Sequence, residues 1–238
     1  MTKGPVTTLR LACVNSAAAP LFEPAGADGR RPGYEPAVGA LLAETLGWDL
    51  VWVYLPWAEM LPSLDDGRAD AVLCRQSIIP TRQAVADFTE PYAVFDESVL
   101  VRAGDPVTSP EGLRGKRVAA IAASTNMALA ETFDDAVTVP FGGESDDVLG
   151  DMLAALRAGD VDAVVDDDVV FVPLADSAEF DLAFTVQTGN RWGLGVPKSR
   201  PSLLDALDEA LAAVKSDGRL AAAWAEWLPS LRYPFTTE

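Results

Sequence analysis

Histidine is absent from the 238 residues. Its absence removes Ser-His-Asp and Cys-His nucleophile activation and every His-ligated metal site. Cysteine occurs only at Cys13 and Cys74, too few for a Cys-only structural zinc site or a disulfide framework. Both lie at or near the end of an apolar run and read as buried free thiols; a disulfide stays open if their strands are neighbours. No apolar stretch approaches the ~18–20 residues of a membrane helix. Cations are scarce, 18 Lys plus Arg against 36 Asp plus Glu, for a net charge of −18. Such a field repels phosphate, so neither nucleic acid nor an anionic membrane is expected as a partner. Solubility alone accounts for the acidity. The opening "MTKGPVTTLRLACV" has one lysine, Gly-Pro and a short strand-like run, which is not a signal peptide. Either the protein stays inside the cell, or an export signal has been removed.

What is present describes a globular protein, 49% hydrophobic and 23% charged, long enough for one large or two small domains. Short β-rich runs alternate with helical patterns, as in a βαβ architecture with mainly parallel sheet. Strands are expected at Leu9–Val14, Asp49–Tyr54, Ala69–Cys74, Ser98–Arg102, Arg117–Ile121, Val137–Pro140, Ala163–Asp166 and Leu182–Thr185. Helices are expected at Pro36–Leu46, Trp57–Asp66, Asn126–Thr132, Asp146–Ala158, Leu203–Ser216 and Leu220–Leu228. Gly47, Gly67, Gly159 and Gly218 stand where a helix wants a left-handed stop. Ser145, with Asp146 and Asp147 behind it, reads as an N-terminal cap, as does Ser202.

The chain also echoes itself. "LPSLDDGRADAVLCR" (61–75) and "LAALRAGDVDAVVDD" (153–167) align without gaps at an offset of 92, sharing Leu, Leu, Gly, Asp, Ala and Val. Each reads as a helix end, a glycine stop, a turn and a buried strand. Chance could give one such pair, since these units are common in α/β proteins; the alternative is two similar lobes. Ligands of open α/β sheets bind beyond the carboxyl ends of the strands. There the first copy carries Arg75 and the second Asp167. A cation and an anion so placed suit a small zwitterion, guanidinium for its carboxylate and aspartate for its ammonium.

The collinear segments "GYEPAVGALLAETLGWDLVWVYLPWAEMLPSLDDGRADAVL", "SIIPTRQAVADFTEPY", "LRGKRVAAIAAST", "AGDVDAVVDDD" and "KSDGRLAAAWAEWLP" cover nearly the whole chain. Together they resemble the polar amino-acid-binding proteins of ABC importers, the family 3 bacterial extracellular solute-binding proteins. The resemblance implies the periplasmic binding protein type II fold: two α/β lobes with mainly parallel sheets, joined by a two-stranded hinge and closing on a ligand between them. Lobe one would hold residues 1–100 and 190–238, and lobe two residues 101–189. It implies no cofactor, and as partners an amino-acid-like ligand and a membrane permease, with the protein a monomer in the periplasm or at the cell surface. A cytoplasmic location is the alternative.

The resemblance also assigns residues. Arg82 matches the arginine that grips the ligand α-carboxylate, and Ser77 a small polar position beside it. Ser124 and Thr125 fall between strand and helix, where they would offer an anion site, cap the helix, or both. Asp167 matches the aspartate that receives the α-ammonium; Asp166 and Asp168 would point elsewhere, since side chains alternate along a strand. Trp57 is either a wall against the ligand side chain or a core residue, and Trp192 belongs to the return hinge strand. Two departures stand out. In "SAAAPLF" alanines, Ala18 among them, replace the usual aromatic before Pro-Phe, and Arg75 replaces a small residue. A guanidinium there needs an anion, from a protein carboxylate such as Asp168 or from a second acidic group on the ligand. Two other readings compete with transport: a cyclohexadienyl dehydratase-like enzyme on the same fold, and a ligand-sensing domain.

Overall fold

The computed structural model describes residues 7–142, 145, 147–175 and 177–235. In chain order the elements begin with β1 (Thr8–Cys13), α1 (Tyr34–Leu46), β2 (Asp49–Tyr54), α2 (Pro62–Asp65), β3 (Ala71–Val72), α3 (Pro80–Gln83) and β4 (Asp87–Phe88). Next come β5 (Ala93–Arg102), β6 (Arg117–Ile121), α4 (Thr125–Ala130), β7 (Val137–Phe141), α5 (Val148–Ala158), β8 (Ala163–Asp167) and α6 (Asp168–Leu174). The chain ends with β9 (Phe180–Trp192), β10 (Gly195–Val196), α7 (Pro201–Ser216) and α8 (Arg219–Trp227). It divides into two compact units, residues 1–94 with 190–238 and residues 95–189. The backbone passes between them twice, along β5 and along β9.

The first unit carries a five-stranded sheet in the order β2-β1-β3-β10-β4. β1 runs parallel to β2 and β3, and β10 pairs antiparallel with β3 and β4. β1 is apolar and buried from Leu11 to Cys13, whereas β2 at the edge alternates between covered and open positions. Val38 and Leu42 of α1 are fully buried, and α1 also meets α7 and α8. The rings of Tyr34 and Trp224 meet edge-on at 5.3 Å. The second unit repeats the plan in the order β7-β6-β8-β5-β9. β6 is parallel to β7 and β8, and β5 is antiparallel to β8. Its core gathers Val99, Val101, Leu113, Val118, Met127, Phe133 and Val165. Both sheets are thus mixed, a parallel block of three extended by antiparallel strands.

The echo in sequence is an echo in structure. Gly67 and Gly159 both take left-handed backbone, φ 76° and 78°, which L side chains rarely adopt. After each comes an aspartate gripped by an arginine from the neighbouring strand. Arg10 donates from Nε to Asp70 Oδ2 at 3.0 Å and from Nη2 to Oδ1 at 3.0 Å, while its backbone N–H bonds Oδ2 at 2.9 Å. Arg117 binds Asp162 through Nε at 3.1 Å, Nη2 at 3.0 Å and backbone N–H at 2.8 Å. Each arginine also donates to the carbonyl of the stop glycine, Gly67 at 2.7 Å and Gly159 at 2.6 Å.

Several elements differ from expectation for local reasons. The run 57–66 divides into a 3₁₀ turn, Trp57–Glu59, and α2. Pro62 has no N–H to continue a helix and instead opens a new one. Only Ala71 and Val72 of the run 69–74 are strand residues, though Asp70 and Leu73 still donate to β1 carbonyls at 2.9 and 3.1 Å. β5 and β9 are longer than their apolar cores: polar residues alternate outward along β9, whereas β5 carries the polar residues Glu97 and Ser98 in buried positions. The short strands β4 and β10 and the helices α3 and α6 carry no periodicity long enough to show. The cap of α5 is Asp147, whose Oδ1 accepts from Gly150 N–H at 3.1 Å; Ser145 bonds Asp147 N–H and Asp151 instead. Asp146 lies outside the described residues. α7 starts at Pro201, which puts Ser202 inside the helix rather than at its cap.

The Arg117 hydrogen bonds hold Asp162 at about 2, below the usual carboxylate range. A depressed folded value gives stability that is present above pH ~4 and fades toward pH 2. Asp162→Asn is therefore expected to cost about 1–2 kcal/mol at pH 7, allowing for partial exposure. In urea titrations that cost should shrink as the pH is lowered to 2.5; a constant difference would contradict the assignment.

Candidate functional site

Each unit carries its own set of buried polar groups at the carboxyl edge of its sheet. In the first unit the loop after β3 leads through Arg75 and Ser77 into α3, which holds Arg82. Arg82 is 9% exposed, an unusual state for a guanidinium. Its Nη1 donates to the Ser77 carbonyl at 3.3 Å, and its Cζ stands 5.6 Å from the centre of the Trp57 ring. Trp57, half-buried in its 3₁₀ turn, thus touches the arginine and is not a closed core residue. Ser77 is buried and bridges antiparallel to Trp192, itself fully buried against Tyr92 with ring centres 6.2 Å apart.

Arg75 takes left-handed backbone, φ 48°, a region that favours glycine. Its N–H donates to Glu35 Oε1 at 2.7 Å, and the Tyr92 hydroxyl donates to the same oxygen. Tyr34 O–H in turn bonds the Tyr92 carbonyl at 2.7 Å. Glu35 is 1% exposed. Burial pushes its carboxyl above the usual range, while the Tyr92 and Arg75 hydrogen bonds and the charges of Arg75 and Arg31 pull back. Where an aromatic was expected before Pro-Phe, Ala18 bridges to Phe22, and the Phe22 ring lies beside two guanidiniums. The Cζ of Arg31 is 4.7 Å from its centre and that of Arg75 is 5.8 Å. Arg31 donates to Cys13 Sγ at 2.7 Å, to the Glu23 carbonyl at 2.8 Å and to the Val14 carbonyl. Cys13 lies on β1, which pairs with β3 just before Cys74; both thiols are free and buried, and burial pushes both up.

In the second unit Asp167 ends β8, is 4% exposed, and accepts from Asn126 Nδ2 at 3.0 Å through Oδ1. The same Nδ2 reaches Glu97 at 3.4 Å, and β5 places Glu97 directly across from Asp167. Burial raises Glu97, with the Thr125 hydroxyl bond opposing and the charges of Asp166 and Asp96 adding to it. Ser124 caps α4: its Oγ accepts from Met127 N–H at 3.1 Å and donates to the Ile121 carbonyl at 2.6 Å. The capping reading of Ser124 is thus seen in its hydrogen bonds. Asp166 accepts from Asp167 N–H at 2.8 Å and Asp168 from Asp96 N–H at 3.2 Å. The two neighbours of Asp167 thus have separate partners. Among the described residues no cluster of His, Cys, Asp and Glu is arranged to hold a metal ion.

Sequence reading did not single out Glu35, Arg31, Glu97 or Asn126. Only Asn126, beside Ser124 and Thr125 at a helix start, carried a local signal. The others depend on contacts between residues far apart in the chain.

Residues 11–230 match the bacterial extracellular solute-binding proteins, family 3. The chain belongs to this family. It is similar to the L-cystine-binding protein TcyJ of Escherichia coli strain K12, with 28% identity over 222 residues, spanning 87% of this chain and 78% of the relative. Among solved structures it resembles an ancestral arginine-binding protein bound to arginine, with a TM-score of 0.82 and 24% identity, covering 93% of this chain and 98% of the other. It also resembles the ancestral amino acid-binding protein AncCDT-1, a precursor of cyclohexadienyl dehydratase, with a TM-score of 0.81 and 24% identity, covering 92% and 94%. At that identity the structural likenesses concern the fold, and the fold is that of two α/β lobes with mixed sheets.

Burial, with the nearby Asp96 charge adding to it, raises Asp168 of this solute-binding protein to about 6, against the pull of the Asp96 amide. A raised folded value means the protein is favoured below pH ~4 and loses that advantage as the pH rises through 6. Asp168→Asn keeps an oxygen for the Asp96 amide and removes the charge. It should stabilise by up to about 2 kcal/mol at pH 8, allowing for solvent screening. Differential scanning calorimetry should show the gain shrink as the pH falls through 6 and vanish below about pH 4.

Proposed function

We propose that the protein captures an amino acid or close derivative and delivers it to the permease of an ABC importer. The ligand carboxylate is held by Arg82 with Ser77 beside it, and the ligand ammonium by Asp167, with Trp57 against the side chain. The observation that carries this reading is the pair of buried, opposite charges, one per unit. Arg82 is 9% exposed and Asp167 4%, each fixed by a polar neighbour. A guanidinium and a carboxylate held in fixed, buried positions suit the recognition of a carboxylate and an ammonium. Asn126 fixes the Asp167 carboxylate, so little side-chain order remains to be lost on binding. Thr125 acts through Glu97, and Ser124 holds the start of α4.

The protein works without catalysing a reaction, as a monomer, in the periplasm or at the cell surface. Family membership and the similarity to the E. coli L-cystine-binding protein support transport over a dehydratase or a sensor. Incubation with prephenate under ultraviolet monitoring addresses the enzymatic alternative, and release of phenylpyruvate would overturn the binding-only reading.

Thermal-shift measurement against the amino acids tests the proposal. Ligand that binds only the folded chain raises the melting temperature with concentration, by about 2.7 kcal/mol of stabilisation at one hundred times Kd. Arg82→Ala, with an unchanged circular dichroism spectrum, is expected to lose the shift, and Asp167→Asn to weaken binding roughly 10- to 100-fold. A wild-type chain shifted by no amino acid, or an Arg82→Ala chain shifted normally, would refute it.

A further inference from the structure

We infer that Glu35, buried at the start of α1, is a positioning residue for solute binding. Through the Arg75 N–H it holds the loop from Cys74 to Ser77 in the shape that brings Ser77 and Arg82 to the solute carboxylate. This rests on the amino-acid-binding reading above.

Glu35 is itself held from behind. Its N–H donates to the Leu21 carbonyl at 3.0 Å, and the Tyr34 N–H to the Pro20 carbonyl at 3.1 Å. So close an approach needs glycine before the helix, because a Cβ on Gly33 would strike the Leu21 carbonyl. The start of α1 is thus fixed against the loop that precedes it. Oε1 of Glu35 then accepts two donors from elsewhere in the first unit, the Arg75 N–H at 2.7 Å and the Tyr92 hydroxyl.

The loop it meets is anchored on both sides of Arg75. Leu73 N–H donates to the Ala12 carbonyl at 3.1 Å, Gly193 N–H to the Gln76 carbonyl at 3.1 Å, and Ile78 N–H to the Arg191 carbonyl at 2.8 Å. Between these anchors Arg75 takes φ 48°, where a residue with a Cβ is strained. Such strain persists only where the surroundings impose it, and the Glu35 carboxyl holds the peptide at this point. Released from Glu35, residue 75 would return toward ordinary backbone and move Gln76 and Ser77 with it. The Ser77 carbonyl accepts from Arg82 Nη1, so the shift would reach the guanidinium assigned to the solute carboxylate.

Stability alone does not call for an acid here. Glu35 is 1% exposed, and its Oε2 is buried with no hydrogen-bond partner among the described residues. An amide of the same shape would offer the same accepting oxygen at less cost than a buried charge. The carboxylate adds a stronger hydrogen bond to a strained peptide. The charged and titratable groups around it are Arg31, Arg75, Tyr34, Tyr92, Cys13 and Cys74. Burial pushes both phenols and both thiols up, so Glu35 is the member of this group that changes charge between about pH 4 and pH 8.

The test uses the full chain and the solute, among the standard amino acids and L-cystine, that raises the wild-type melting temperature most. Glu35→Gln is expected to bind that solute roughly tenfold more weakly by isothermal titration calorimetry. A folded value raised by burial favours the wild-type protein at low pH, and the advantage is lost as the pH rises. Without solute, the variant should therefore melt at about pH 8 as high as wild type or higher. Any excess should fade toward about pH 4, where the wild-type acid is neutral as well. Unchanged affinity in Glu35→Gln would detach Glu35 from binding, and a lower melting temperature at about pH 8 would make it a structural group. Either result overturns the inference and leaves amino-acid binding standing. A wild-type chain that binds none of these solutes would remove both.

Discussion

One ion pair, used twice, sets where everything else can lie. Arg10 with Asp70 and Arg117 with Asp162 each join the start of a central strand to the strand beside it and to the glycine that ends the preceding helix. A bidentate guanidinium–carboxylate contact fixes two strands in direction as well as distance. It acts at the amino end, where β1 meets β3 and β6 meets β8 in parallel register. A one-residue slip would break the pair and turn every buried side chain of the strand outward. Arg75 and Asp167 stand equally far along the chain from the two clamped aspartates. The clamp at one edge of each sheet therefore fixes where Arg75 and Asp167 emerge at the other. Arg200 adds a further bond to Asp70 at 2.5 Å, tying the start of α7 to the same point in the first unit.

The two carboxyl edges solve opposite electrostatic problems. On the first unit the buried acid Glu35 accepts from a backbone N–H and a tyrosine hydroxyl. On the second, Glu97, Asp166 and Asp167 are all at or below 4% exposure, and the donors they meet include an amide side chain, a hydroxyl and a backbone N–H. Neutral donors reduce the cost of burying a carboxylate without cancelling its charge. The overall acidity of the chain is a separate matter, since most of its carboxylates are at the surface and govern solubility.

The parts legible in the sequence are those whose cause is local. β2 and β6 have the bounds that their apolar runs predict, and the glycine stops at 67 and 159 adopt the expected left-handed backbone. The echo located the aspartates of both clamps but not their arginines, which sit at strand starts with no shared local context. Arg75 was visible as an anomaly, yet its Glu35 anchor lies 40 residues away on another element. Serine caps failed where a competing group won: Asp147 for α5 and the proline start of α7. β4 and β10 are too short to carry any period, and they exist because neighbouring strands offer unpaired backbone groups.

The run Asp166–Asp168 shows how far position, rather than residue type, decides chemistry. Three identical side chains in sequence meet three different donors: the backbone N–H of Asp167, the side chain of Asn126, and the backbone N–H of Asp96. Asp166 bonds the backbone of the next residue of its own strand, and its charge acts on Glu97. Asp168 is the first residue of α6 and secures β5 to that helix, a structural bond kept at the expense of a raised ionisation. Asp167 is held by a side-chain amide that itself bridges to a second buried acid. The strand ends at this residue and the helix begins at the next. That change of geometry, as well as the alternation of side chains along a strand, is what gives Asp167 surroundings different from those of the two beside it.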